Sequence, residues 1–388
     1  MAEIDVQEGP TNIQSSAWIV SFGPIGSGSD GYIVRVESNA RALATLGFAV
    51  HVLDVSRRKE PATPWPGVET HPAWPSVVSE RRIFGPVDLL ADLRGQLALI
   101  VGLLRNWKSL RAADAVICEG GLLAATFVLR VFRRRRSPIF VFDPITVMSS
   151  LHRDTNGICT VQCKSRRLVW RLLEWVCIRC SDLTVVGCTE DALRFRARRV
   201  AIVPHAVLTE RLAIDSREDP NLIGFLGNGG IGPNREAVDF IAQRVLGQPG
   251  LDSVTCRVIG DINGYDRDGY QGIEFVGFFK DPSQPLSPVS VGCAPMSETG
   301  GVSTKVVAYL VNGKRTVCTA EAARGIAVPP NGLWVAERDE FAKAVAVALA
   351  HPWSSTRARA LQEWMVAHHG LDAVARCWSG AVTNASTT

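Results

Sequence analysis

The chain contains no apolar run long enough to cross a membrane. Its longest, Leu97 to Leu104, falls far short of the roughly 20 residues that a spanning helix needs. Met1 to Ser16 is acidic and polar with no apolar core, so it does not read as a secretory signal. Also missing are a Ser-His-Asp order, a Walker loop and an HExxH pair, which removes the signatures of serine hydrolases, P-loop nucleotidases and zinc peptidases. No nucleic-acid-binding motif accompanies the basic residues, and nucleic acid is not expected as a partner. The 10 cysteines are scattered without an export signal and read as buried thiols of a reducing compartment. The expectation is a cytoplasmic protein.

What is present is an ordinary globular balance, 46% hydrophobic and 21% charged over 388 residues, which points to two or three domains. The formal charge of +4 hides an asymmetry. Residues 1–205 carry 26 Lys and Arg against 19 Asp and Glu, and the remainder carries 16 against 19. Arg133, Arg134, Arg135 and Arg136 form an unbroken run. Either it is a solvated loop between a helix (Leu122 to Phe132) and a strand (Pro138 to Phe142), or it is a patch for anionic lipid headgroups or an acidic acceptor. The second alternative would make the protein peripheral at the inner membrane face.

Apolar runs alternate with helical patterns along the chain. Strands are expected at Ala17 to Phe22, Ala49 to Val55, Ala115 to Cys118, Ile139 to Phe142, Leu183 to Val186 and Val200 to Val203. A helix is expected over Ile33 to Leu46, and the proline-rich Pro61 to Pro75 is expected to be loop. A second series begins at Leu222, with strands at Thr255 to Ile259, Glu274 to Val276, Val289 to Cys293 and Arg315 to Cys318. Helices at Arg338 to Ala350 and Ser355 to His369 end it. This βα alternation predicts parallel sheets covered on both faces. The division expected is a tail (1–16), a first domain (17–205), a second domain (206–369) and a C-terminal tail (370–388) that packs back on the first domain or, from Ser379, stays disordered.

Two glycine turns stand out. In the first, Leu222 to Leu226 ends in Gly227-Asn228, a turn follows, and Pro233-Asn234-Arg235 opens a helix. In the second, Val289 to Ala294 breaks at Gly300-Gly301 before Val302-Ser303-Thr304-Lys305 and a helix with apolar Val306, Val307 and Leu310. Strand, glycine turn and helix aim free backbone N–H groups at an anion. Between them lies Gly272-Ile273-Glu274-Phe275-Val276-Gly277-Phe278. In this order the three segments resemble the donor domain of the GT4-like family of GT-B glycosyltransferases, in the branch whose donor domain opens with a Pro-Asn turn. Pro204-His205-Ala206-Val207 resembles the point at which GT-B chains leave the first domain. The glycine loop Gly23 to Gly31, with Gly26 and Gly28, resembles the loop that approaches the donor across the cleft.

The resemblance implies two Rossmann-like domains facing each other and transfer of a sugar from a nucleotide-diphosphate-sugar to a hydroxyl acceptor, anionic or lipid-linked. Retention, and no metal or other cofactor, are implied with it. Leaving-group charge would meet the amides of Val302, Ser303 and Thr304, the Lys305 ammonium and the Arg235 guanidinium. Gly227, Asn228, Gly277, Phe278, Gly300 and Gly301 would hold the donor, and Gly277-Phe278 would meet the base. The match is incomplete. The family's ribose-binding glutamate aligns with Ala308, and its sugar-binding glutamate aligns with Gly300, with Glu298 nearby as a rim carboxylate or substitute. The acceptor-domain histidine is replaced around Pro144-Ile145, His152 lies too far along, and Asp143 matches a polar site position. These departures leave open a catalytically silent GT-B protein that partners another glycosyltransferase.

Cys159, Cys163, Cys177 and Cys180 have spacing that superficially resembles a four-thiolate zinc site. Cys177 and Cys180, however, fall in an apolar helix, Leu168 to Cys180, where core packing is the simpler reading. His205 is expected to be structural, and His351, His368 and His369 to be surface or packing residues.

Overall fold

A computed structural model describes residues 15–21, 31–54, 65–72, 100–120, 138–145, 161–195, 199–208, 218–265, 267–279, 283–299 and 301–386. Two parallel sheets organise them. The first contains β1 (Ser16–Ser21), β2 (Ala49–Asp54), β3 (Val68–Pro72), β4 (Ala115–Glu119), β5 (Ile139–Asp143), β6 (Leu183–Val186) and β7 (Val200–Ile202), in the order β3-β2-β1-β4-β5-β6-β7. The second contains β8 (Asp219–Leu226), β9 (Thr255–Ile259), β10 (Ile273–Gly277), β11 (Val289–Ala294), β12 (Arg315–Cys318) and β13 (Leu333–Val335), in the order β10-β9-β8-β11-β12-β13. Every strand pair in both sheets is parallel. The protein therefore has two Rossmann-like α/β domains, the GT-B architecture.

Strand order reverses between β1 and β4 in the first sheet and between β8 and β11 in the second. Open α/β sheets bind ligands beyond the strand C-termini at such reversals. The second reversal is bracketed by two helices, α5 (Gly232–Arg244) after β8 and α7 (Thr304–Val311) after β11. Other helices among the described residues include α1 (Gly31–Thr45), α2 (Trp107–Ala112), α3 (Val161–Cys180), α4 (Thr189–Arg194), the single turn α6 (Ser283–Leu286), α8 (Phe341–Ala350), α9 (Ser355–His369) and α10 (Leu371–Ser386).

Three sequence expectations change. Val68–Pro72 is a strand, β3, although it lies within the stretch expected to be loop. It sits at the sheet edge with Pro72 as its last residue, where proline's missing N–H leaves no ladder bond unmade. Leu333–Val335 forms the edge strand β13, too short to stand out as an apolar run. The segment from Ser379 is ordered: α10 continues to Ser386 and packs against α1, β5 and β7. Val374, Ala375, Trp378 and Ala381 supply apolar residues at helical spacing, and all four enter the first domain's core. Trp378 is fully buried, and its Nε1 donates to Asn39 Oδ1 at 3.1 Å.

The chain passes between domains twice, and the two crossings are tied together. Val207 N donates to the His369 carbonyl at 2.6 Å, and Val207 bridges Gly370. Arg35 Nη1 donates to the Val203 and Pro204 carbonyls at 2.6 and 3.0 Å, and Ala206 N donates to Ser38 Oγ at 2.8 Å. Among the described residues no helix is long and apolar enough to cross a membrane.

Candidate functional site

The second sheet's reversal point is built from two helix N-termini. At the first, Asn228 Oδ1 accepts from Gly230 N at 2.8 Å, and Asn234 Nδ2 donates to the Asn228 carbonyl at 3.0 Å. Gly227 has a packing reason to be glycine. A Cβ there would lie 2.4 Å from the Phe225 ring, and one at Gly260 would lie 2.2 Å from the Gly227 carbonyl. Arg235 Nη1 donates to the Gly229 carbonyl at 2.5 Å, so the guanidinium braces this turn. At the second N-terminus, Ser303 is the residue before α7, and its side chain makes no cap hydrogen bond. The first amides of that helix have no intrahelical acceptor.

Lys305 lies between the two turns. Its Nζ donates to Asn234 Oδ1 at 2.9 Å, stands 3.7 Å from Met296 Sδ, and lies 5.3 Å from the centre of the Phe225 ring. None of these groups is anionic. Burial pulls its pKa down to about 8. Among the described residues no carboxylate pairs with it, and a desolvated ammonium without a counter-charge is a costly arrangement.

Gly277 ends β10 and Phe278 follows it, with Gly260 N donating to the Gly277 carbonyl at 2.8 Å. Gly277 has φ of 82°, and nothing lies within 4 Å of where its Cβ would be. Phe278 is 59% exposed, a large apolar face just after the edge strand β10. Val302 and Ser303 are buried, Glu298 is half-buried at the rim, and Thr304 begins α7. Gly26, Gly28, Gly300 and the run Arg133 to Arg136 lie outside the described residues.

The first domain meets this turn directly. A Cβ at Gly301 would lie 2.9 Å from the Ile145 carbonyl. Ile145 has φ of 57°, a left-handed conformation that a β-branched side chain disfavours by about 1–3 kcal/mol. Asp143 holds it there: Ile145 N donates to Asp143 Oδ1 at 3.0 Å. Asp143 itself is 1% exposed and receives Arg35 Nε and Asn39 Nδ2, each at 2.9 Å. It is thus set behind the cleft wall, fixing the loop that carries Ile145. Glu119, the last residue of β4, accepts from Asn39 at 2.9 Å. Burial and the neighbouring Asp143 push its pKa up to about 8, so at neutral pH it is mostly the protonated acid.

A second cross-domain contact joins Arg324 to Asp191 of α4, with Glu321 Oε1 at 2.6 Å from the same guanidinium and Cys188 Sγ at 3.8 Å. Burial and Asp191 push the Cys188 thiol up to about 12, so it is no nucleophile. Sequence reasoning missed Arg35, Asn39, Glu119, Asp191 and Arg324. One signal was available, since Arg35 and Asn39 are polar at i and i+4 among the apolar residues of α1 that face the core. Cys177 is fully buried and Cys180 half-buried in α3. Cys159 and the Cys163 side chain lie outside the described residues, as does His152. His369 Nε2 accepts from Ala327 N at 3.2 Å, and burial lowers its pKa, placing it at the domain crossing with His205. A surface cleft lined by Phe48, His51, Trp65 and Glu69 lies at the outer edge of the first sheet, away from the donor-side turns.

No family model matches the chain, and no curated protein matches it. Solved structures match along nearly its whole length. Sucrose-phosphate synthase from Thermosynechococcus elongatus is 13% identical with a TM-score of 0.69, covering 96% of this chain and 99% of that one. The Anabaena protein HepE in complex with UDP and glucose is 11% identical with a TM-score of 0.64, covering 95% and 99%. The lipopolysaccharide outer core galactosyltransferase WaaB is 12% identical with a TM-score of 0.62, also covering 95% and 99%. At such identities the likeness establishes the shared GT-B fold.

Proposed function

We propose that the protein is a glycosyltransferase of GT4-like type, moving a sugar from a nucleotide-diphosphate-sugar to a hydroxyl acceptor with retention and without a metal. The observation that carries this reading is Lys305, a desolvated cation set between two helix N-termini with no anion beside it among the described residues. A diphosphate supplies the missing charge, and the first amides of α7 supply N–H donors to its oxygens. As the bond to the anomeric carbon breaks, negative charge grows on the leaving oxygen, and both groups stabilise it more than they stabilise the intact donor. Phe278, exposed at the end of β10, offers an apolar face to the base. A similar solved structure, HepE, is described in complex with UDP-glucose, in keeping with a donor of this class.

The competing reading is a silent GT-B protein that supports another transferase. Ala308, Gly300 and Ile145 stand where the family carries a ribose glutamate, a sugar glutamate and a histidine. Loss of one charged hydrogen bond costs roughly 1.5–3 kcal/mol, a ten- to hundredfold weaker donor rather than none. The experiment is donor hydrolysis and transfer across a panel of nucleotide-sugars, with nucleotide binding measured in parallel. Turnover with any donor supports the enzyme. Nucleotide binding without turnover favours the silent protein, and the absence of both binding and turnover across the panel overturns the enzyme reading.

A further inference from the structure

Three metal-binding side chains converge at the outer edge of the first sheet, far in sequence from the donor-side turns. His51 lies opposite Trp18 on β1 and opposite Glu69 on β3, in the parallel register. His71 follows Glu69 by two residues along β3, so all four side chains share one face of the sheet. His51 Nδ1 stands 3.1 Å from His71 Nε2 and 3.1 Å from Glu69 Oε2, while His71 Nε2 stands 3.6 Å from Glu69 Oε1. The indole of Trp18 stacks on both imidazoles, with centroid distances of 4.9 and 4.8 Å and interplanar angles of 22° and 27°. Trp18 is itself buried in the core on that face. Both histidine planes are therefore set by a rigid neighbour.

Protons satisfy this cluster poorly. A neutral His51 carries one ring proton, and if it sits on Nδ1 it can point at Glu69 or at His71 but not at both. If it sits on Nε2, the Nδ1 lone pair faces the carboxylate. A cation at the centre meets all three lone pairs together. Ligands bound at about 2.0–2.2 Å lie about 3.3–3.6 Å apart when their angle is tetrahedral, and the observed separations of 3.1 to 3.6 Å span that range. His51 and Glu69 also line the surface cleft beside Trp65, leaving room for a solvent ligand.

We infer that His51, Glu69 and His71 form a binding site for a divalent cation of zinc type, which pins the edge strand β3 to β2. Two imidazoles and one carboxylate suit zinc and its neighbours over calcium or magnesium, which prefer all-oxygen sites. The site is separate from the proposed donor site, and its metal takes no part in sugar transfer.

The test uses the untagged full-length protein, stripped with chelator and titrated with Zn(II), and with Co(II) as a spectroscopic probe. One equivalent is expected, with a Co(II) visible band and no thiolate charge-transfer band in the near ultraviolet. The exposed substitution Glu69→Gln should weaken binding about tenfold, and His71→Phe, which keeps a ring on Trp18, about 100-fold or more. Zinc should raise the thermal midpoint of the wild type and leave that of His71→Phe unchanged. No binding to the wild type overturns the assignment, as does affinity unchanged in both variants. A thiolate band abolished by Cys177→Ala would place the metal at the cysteines and overturn it equally.

Discussion

Burial pulls the Lys305 ammonium down to about 8 because the Asn234 amide, the Met296 sulfur and the Phe225 ring bring no negative charge to it. In an unfolded chain the same group titrates near 10.5. Between those values the unfolded chain holds a proton that the folded protein has lost, so stability rises with pH across that window. The penalty is present in full below about pH 8. Lys305→Met should therefore stabilise the free protein by roughly 1–3 kcal/mol at pH 7, measured by urea unfolding. The same change should weaken nucleoside diphosphate binding about ten- to hundredfold, the worth of a charged hydrogen bond. In the wild type, affinity should fall as pH rises from 7 to 9 and the ammonium is lost, whereas the variant should be flat across that range. Unchanged affinity in Lys305→Met would remove this side chain from the donor site. Lys305 was legible in the sequence through its place after a glycine turn. The burial of Asp143 was not, because a carboxylate at a strand end looks the same in sequence whether it faces the cleft or, as here, Arg35 and Asn39.

At the scale of elements, the α7 turn and α10 carry separate expectations. Gly301 passes so close to the Ile145 carbonyl that even a methyl group there must displace it. Gly301→Trp should abolish donor binding and turnover by filling the N-terminus of α7. Cys177→Ala removes a buried sulfur from α3 and should cost about 1 kcal/mol in stability with kcat/KM unchanged. Steady-state kinetics beside thermal melts separates the two effects. Helix α10 docks Trp378 into the first domain, and Trp378→Ala should cost about 3–5 kcal/mol. Loss of amide protection should then extend to α1, which α10 covers. Hydrogen exchange confined to α10 itself would show that the helix contributes nothing to that core. Periodicity found α9 with both of its ends, Ser355 and His369. It missed α10 because the alanines, serines and threonines of its last turns look like a solvated tail until Trp378 is seen buried.

For the whole molecule, the exit from the first domain at Pro204 to Val207 lies beside the chain's return crossing, and the two are fastened by Val207 N to the His369 carbonyl. Two further bridges span the domains, Gly301 against Ile145 and Arg324 against Asp191. Nucleotide bound between Gly277-Phe278 and Gly300-Gly301 is expected to draw Gly26 to Gly31 across the cleft and exclude water from the anomeric carbon. Solution scattering with and without nucleoside diphosphate, combined with hydrogen exchange over 23–31, tests this. Tight binding that leaves both the radius of gyration and that exchange unchanged would show that the cleft does not close. Asp191→Asn weakens one bridge and should make the unliganded protein more expanded by scattering.

Alternating apolar runs and glycine turns determined the two parallel sheets, most of their strands apart from the edge strands β3 and β13, and the two helix N-termini after β8 and β11. These are local signals, written in spacing and in the backbone freedom of glycine. Burial and partnership were decided only by the tertiary structure. It set Asp143 and Glu119 behind the cleft wall and turned Arg235 onto the Gly229 carbonyl. It also recruited α10 to the first domain and brought His51, Glu69 and His71 together from two strands. Each of these depends on which distant segment packs alongside. Strand register and helix docking fix that choice through contacts that sequence neighbours do not share.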